Sequence, residues 1–300
     1  MGDRIFSPGD ARDPAYVTLR SMQDEHITAA KAFVESLWDR FCGFADPNFL
    51  TEIRRDFHAR FWEMYLTCAL QDYAIRRGIA ISCPKPGPDV LLEHEGNRVW
   101  VEAVIATNGE PGRPDTVVEP NTDSSSRIPE EKIVLRYTNA LSEKYRKYYG
   151  YLRQGIVRKS DAFVVAISGA TLSYKWTRAA NDAPRFLKAL YPLGAYQIVL
   201  DRRSGEIIGH QNEPRFHVVK ASGANVAVMP FLERRSRGIT AVLSSFADPM
   251  YHGATLGSDF ELAHNPMGRT PISDLVLPAR RAWRTVLNEN GGELTGHTLV

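Results

Sequence analysis

The sequence predicts an α/β protein: a central mixed β-sheet flanked by helices, with a strand-rich C-terminal extension. Three observations predict it. Long apolar patterns of helical period occupy residues 22–77 and 129–152. Between and after them lie short runs suited to strands, among them Val-Trp-Val-Glu-Ala-Val-Ile at 99–105 and Ala-Phe-Val-Val-Ala-Ile-Ser at 162–168. The last hundred residues hold several more strand-like runs, at 215–221, 226–232, 239–245 and 259–265.

Taken in order, residues 1–20 are irregular. Ile27, Ala30, Phe33, Val34, Leu37 and Phe41 then recur at helical spacing over 22–44. Asp46-Pro47 ends that helix and opens a second, amphipathic one over 47–77, which stops before Gly78. Two strands, 89–93 and 98–106, are joined by the turn Glu95-Gly96-Asn97. Residues 107–129 carry four prolines and the serines 124–126 and read as a long loop, a lid or a disordered stretch. A helix follows over 129–152, with Ile133, Tyr137, Leu141 and Tyr148 on its apolar side. A strand at 161–168, a helix at 182–191, a strand at 195–201 and the returning run Glu-Ile-Ile-Gly-His complete the alternating part. A helix is expected at 278–289, where Ala-Arg-Arg-Ala-Trp-Arg mixes basic residues with Trp283. The chain reads as one domain over 1–300: a helical extension at 1–47, an α/β core at 48–212 and a strand-rich extension at 213–300.

Net charge is +2, so no strong basic or acidic partner is dictated, though a basic groove can hide in a balanced total. The three cysteines lack C-x-x-C spacing, which argues against a disulfide framework and a zinc site. No apolar stretch approaches the ~20 residues of a membrane span. With no apolar leader after Met1, and Phe6 breaking the N-terminal acylation pattern, a cytoplasmic location without a membrane partner is expected. No P-loop, nucleophile elbow or dinucleotide fingerprint appears.

One position departs from the apolar pattern. On a strand Trp100, Glu102 and Val104 share a face, while Val99, Val101, Ala103 and Ile105 share the other, so Glu102 interrupts an apolar surface. An ionised carboxylate there must be paired, protonated or metal-bound. Asp89, at the mouth of the preceding strand, would lie opposite Glu102 or one pair beyond. Two close carboxylates repel, and a divalent cation relieves the repulsion. Glu63 lies along an apolar helical line with Ala59, Leu66 and Leu70, an odd place for a carboxylate unless it faces a polar pocket. Each has a purely structural alternative: Glu102 paired with a helix Arg or Lys, Asp89 ending a turn after Pro88, Glu63 bridged to Arg60. Hard oxygen donors point to magnesium rather than zinc.

Pro88-Asp89, the hairpin, and Glu102 in Val-Glu-Ala-Val resemble the motif of the PD-(D/E)xK nuclease superfamily, whose fold is restriction-endonuclease-like. The likeness covers residues 48–200. It implies a metal-dependent nuclease acting on nucleic acid, DNA in the first instance. Asp89, Glu102, the Ala103 carbonyl and Glu63 would hold Mg²⁺, with Mn²⁺ as substitute. It also implies catalytic roles for Glu63, Asp89 and Glu102, and allows a homodimer. The chain departs from the pattern at the motif lysine, whose place is taken by Val104. Some members take the basic group from the following helix, where Lys144, with Tyr148 four residues on, resembles their Gln-x-x-x-Tyr element; Arg136 and Lys132 are the other candidates. Loss of the lysine leaves a second implied reading, a nucleic-acid-binding module of the same fold with weakened catalysis.

Overall fold

The computed structural model describes residues 4–120, 127–177, 182–228, 230–288 and 291–299. Serines 124–126 lie outside them. The chain is a mixed α/β protein built on an eight-stranded mixed sheet with helices on its faces.

Helices α1 (Pro14–Ser21) and α2 (Glu25–Phe41) come first, each capped by an aspartate, Asp13 and Asp24, whose side chain accepts from backbone amides of the first turn. The predicted helix over 47–77 is two: a single turn, α3 (Phe49–Glu52), and α4 (Phe57–Arg77). The break falls before Asp56, whose carboxylate caps α4 through the Ala59 amide. Gly78, at φ +65°, closes α4 in the left-handed region. α4 is not the one-sided amphipathic helix expected. Phe61 to Leu70 are buried without interruption, because α4 is sandwiched between the sheet and α2.

The sheet begins with β1 (Ala80–Ser82), β2 (Val90–His94) and β3 (Asn97–Ile105), joined in antiparallel fashion. Glu95 and Gly96 both take positive φ at the β2–β3 turn, the primed geometry that suits the twist of a tight hairpin. Helix α5 (Glu130–Arg153) then carries the chain across to β4 (Ala162–Ser168), parallel to β3. After α6 (Arg185–Leu190), β5 (Leu193–Leu200) and β6 (Ile207–Pro214) form a hairpin of their own, as do β7 (His217–Val219) and β8 (Asn225–Ala227). Neither hairpin joins the main sheet. The C-terminal third extends that sheet through β9 (Ala241–Ser245), β10 (Glu261–His264), β11 (Arg281–Asn288) and β12 (Gly291–Thr298), in the order β1-β2-β3-β4-β9-β10-β11-β12.

β11 replaces the helix expected at 278–289. Its pattern is two-fold: Arg281 and Trp283 share a face, with the guanidinium 4.9 Å from the ring centroid, while Ala282 is fully buried on the other. Two of the three arginines that suggested a helix face are held by acids, Arg280 by Glu261 and Arg284 by Asp274.

Two cores result. One lies between the sheet and α1, α2 and α4; it takes Val99, Val101 and Ala103 from β3. The other lies under α5 and α6 and takes Trp100 and Val104, the face of Glu102. The face assignment read from the sequence therefore describes the strand correctly.

Candidate functional site

β2 stops pairing at Val90, opposite Val101. Residues 102–105 of β3 keep β4 on one side but have a free edge on the other. Asp89 is the first residue past the ladder, and by register stands opposite Glu102. Its Oδ2 accepts from the Ala103 amide at 2.7 Å. A residue's N–H and C=O leave a strand on the same side, so the Ala103 carbonyl faces the same free edge. Asp89 Oδ1 has no partner among the described residues.

That edge forms the floor of a cleft of about 340 Å³ between the first half of α4 and the middle of α5. Glu63, Asp89, Glu102, Ala103, Val104 and Lys144 all line it. Trp62 fixes the α4 wall, donating from Nε1 to the Ala166 carbonyl of β4 at 3.0 Å. Five carboxylates line the cleft (Asp56, Glu63, Asp89, Glu102 and Glu143) against three cations, Arg60, Lys144 and Lys147.

Each carboxylate has its own environment. Glu63 is buried and bridged to Arg60 at 2.5 Å, and Arg60 also grips Glu52 at 2.9 Å. The structural alternative for Glu63 thus describes its present contact, although the residue also borders the cleft. Glu102 is fully buried. Its Oε1 takes the ammoniums of Lys144, at 2.9 Å, and Lys147, at 2.6 Å, and its Oε2 takes the Tyr151 hydroxyl at 3.1 Å. Asp89 is half-buried. Loss of water around it, then the negative charges of Glu102 and Glu63, push its pKa from 3.8 up to about 7, against the pull of the Ala103 amide and Lys144. Burial works against the Lys147 ammonium, yet Glu102 more than offsets this and raises its pKa; burial and then Glu102 raise that of Tyr151.

Lys147 and Tyr151 were missed in the sequence. The Lys-x-x-x-Tyr pair that meets Glu102 is 147/151, with Lys144 one turn earlier. Tyr148 instead packs edge-on against Phe163, with centroids 4.9 Å apart. The available signal was the i, i+3, i+7 spacing of Lys144, Lys147 and Tyr151, which puts all three on one helix face. Arg136 and Lys132 serve elsewhere. Arg136 donates to the Thr107 carbonyl and Lys132 to that of Pro114, tying the loop after β3 to α5.

Among the described residues no three carboxylate, histidine or cysteine side chains already stand as a cage for a metal ion. The donors nevertheless fit Mg²⁺, which keeps much of its water and needs only one or two carboxylates. Asp89 Oδ1, the Ala103 carbonyl and Glu102 meet at one edge, and all are hard oxygens. Cys83 lies outside this set, its thiol pushed up to about 12 by burial.

The chain matches no protein-family model, no curated protein and no solved structure. No helix among the described residues is long and apolar enough to cross a membrane. The functional reading therefore rests on the geometry of the cleft.

Proposed function

We propose that the protein is a Mg²⁺-dependent nuclease of the PD-(D/E)xK type, with a restriction-endonuclease-like core, hydrolysing phosphodiester bonds of DNA. One observation carries this reading. A cleft holds an excess of two carboxylates over cations, and Asp89 among them is pushed toward neutrality by loss of water and then by its acidic neighbours. Such a site repels phosphate by itself and is complementary to a dication.

Asp89 Oδ1, Glu102 and the Ala103 carbonyl would hold the ion, with Glu63 positioned to orient its water shell. When bound, Mg²⁺ supplies a lower pKa for water and a clamp on the phosphate oxygens. The chain's own part is electrostatic. Val104 occupies the position from which the motif lysine would project, so the cation comes from α5: Lys144 and Lys147 both place ammoniums within 3 Å of Glu102. An ammonium at this position would orient the attacking water and balance charge developing on the phosphate. The Tyr151 hydroxyl, donating to Glu102 Oε2 at 3.1 Å, would keep that carboxylate oriented.

Plasmid and single-stranded DNA incubated with Mg²⁺ or Mn²⁺ test the reading. Wild-type protein should cleave, and Glu102→Gln and Asp89→Ala should not while remaining folded. Cleavage by Glu102→Gln at the wild-type rate removes Glu102 from the mechanism. A second reading is favoured by the lysine clamp on Glu102, which competes with a metal: a nucleic-acid-binding module on the same fold without chemistry. DNA that raises the melting temperature in chelator, with no metal effect and no cleavage, selects it.

A further inference from the structure

A groove of about 480 Å³ opens on the α4 face of the sheet, at the end of β3 away from the acidic cleft. Its volume falls within the roughly 300–1,000 Å³ of small-ligand sites. The strand register builds its floor. Leu92, Val99 and Ala162 are direct partners across β2, β3 and β4, so they form one apolar row, about 10 Å long by strand spacing. His94 and Asn97, also partners, form the next row on the same face, and both are exposed beside the β2–β3 turn. The floor thus passes from apolar to polar along the strands. Two walls stand on it. One is the end of α4 with Arg77 and Ile79; the other is the segment 270–276 with Ile272, Leu275 and Val276. Tyr73 joins the walls: its hydroxyl donates to the Leu275 carbonyl at 2.6 Å, and the Arg77 guanidinium sits 5.5 Å from its ring centroid.

The walls select the body of the ligand. Every apolar side chain lining the groove is aliphatic; no Phe, Tyr or Trp among them offers a flat face for stacking. Ile79, Ile272 and Val276 are half-buried and Leu275 is 53% exposed, so the walls keep accessible surface that an alkyl chain would cover. Charge selects the head. Arg98 is spent on Asp161, at 3.2 Å, and on Glu93, at 3.5 Å. Glu95, the one acid among the lining residues, stands at the turn with its side chain 80% exposed, 3.8 Å from His94. Arg77 has no acidic partner among the described residues. An unpaired guanidinium beside an aliphatic groove is complementary to a carboxylate on an alkyl chain, which it can take by two parallel N–H···O bonds.

We propose that this groove binds a free aliphatic carboxylate of medium chain length, its chain along the row of Leu92, Val99 and Ala162 and its head on Arg77. The site does not rest on the nuclease reading. Val99 faces α4, whereas Glu102, three residues further along β3, shares the face of Trp100 under α5.

The test is calorimetric titration of the full chain with acetate, hexanoate, octanoate and octanamide. Octanoate should bind saturably at one site and raise the melting temperature. Hexanoate, shorter by two methylenes, should bind about tenfold more weakly, and acetate should give no measurable binding. Octanamide keeps the shape without the charge and should bind about tenfold or more weakly than octanoate. Arg77→Gln alters an exposed position and should bring octanoate and octanamide to equal affinity; a merely structural role for Arg77 would leave their ratio unchanged. Leu275→Asp, also at an exposed position, sets a like charge in the wall and should weaken octanoate about tenfold or more while octanamide loses less. Equal affinities of wild type for octanoate and octanamide, an unchanged ratio in Arg77→Gln, or no saturable binding of octanoate overturns the proposal. So does retention of the protein by vesicles of anionic phospholipid, which would make a lipid surface the source of the alkyl chain.

Discussion

Replacing Asp89 with Asn should make the metal-free protein more stable while destroying its response to metal. A carboxyl whose folded pKa lies above its unfolded value costs nothing below the unfolded value, here 3.8. The cost grows as pH rises and is complete above the folded value of about 7. At ~1.4 kcal/mol per tenfold, that interval sets a ceiling of about 4 kcal/mol at pH 8 and about 1 kcal/mol at pH 4.5. Asp89 keeps part of its surface in the cleft, and solvent there reduces the effect, so about 2 kcal/mol is expected at pH 8. Asn preserves the acceptor for the Ala103 amide and removes only the charge. The assay is thermal melting in chelator at pH 4.5 and pH 8, then with Mg²⁺. Asp89→Asn should melt higher than wild type at pH 8, by roughly 4 °C for a chain of this size. The gain should shrink toward zero at pH 4.5. Mg²⁺ should raise the melting temperature of wild type and leave the variant unmoved. A variant that melts at or below wild type at pH 8 without metal would show that Asp89 is not strained by burial and by the charges of Glu102 and Glu63, and would leave the metal site without its main support.

Removing Lys144 or Lys147 alone, as Gln, should cost about 1 kcal/mol because the other ammonium still pairs Glu102, but removing both should cost about 3–5 kcal/mol by leaving a fully buried carboxylate unpaired; chemical denaturation of the three proteins checks the non-additivity. If the nuclease reading holds, the two single variants separate the roles: the lysine that serves the reaction lowers kcat without changing the metal-induced shift in melting. Trp62→Phe should lose about 1 kcal/mol through the loss of the indole bond to the Ala166 carbonyl, which keeps its place in the sheet ladder, and denaturation also measures this.

Much of the site was legible because it breaks a pattern. Glu102 is conspicuous among apolar neighbours on a period-two strand, and Asp89 follows from the length of the hairpin, so their register needed only the turn at Glu95-Gly96. Glu63 was legible as an anomaly, but its Arg60 partner could be named only as one option. The wrong tyrosine was chosen because Tyr148 and Tyr151 both lie near the inward side of α5. Which of them reaches Glu102 and which packs on Phe163 depends on where α5 crosses the sheet. β11 was misread because a short run of arginines around Trp283 suits a helix face until Glu261 and Asp274 arrive to pair them.

Local chemistry, then, is what the order of residues determined: alternation of faces along β3, capping and turns, and the presence of acids where apolar residues belong. Convergence is what only the tertiary structure decided. α4, the β2–β3 hairpin and α5 bring Glu63, Asp89, Glu102, Lys144 and Lys147 around one cleft from positions as much as 84 residues apart. The reason is physical. Periodicity reports which side of an element is buried, but the angle and offset at which two elements pack follow from side chains distant in sequence. The charge around a carboxylate depends on that offset to within a few ångströms.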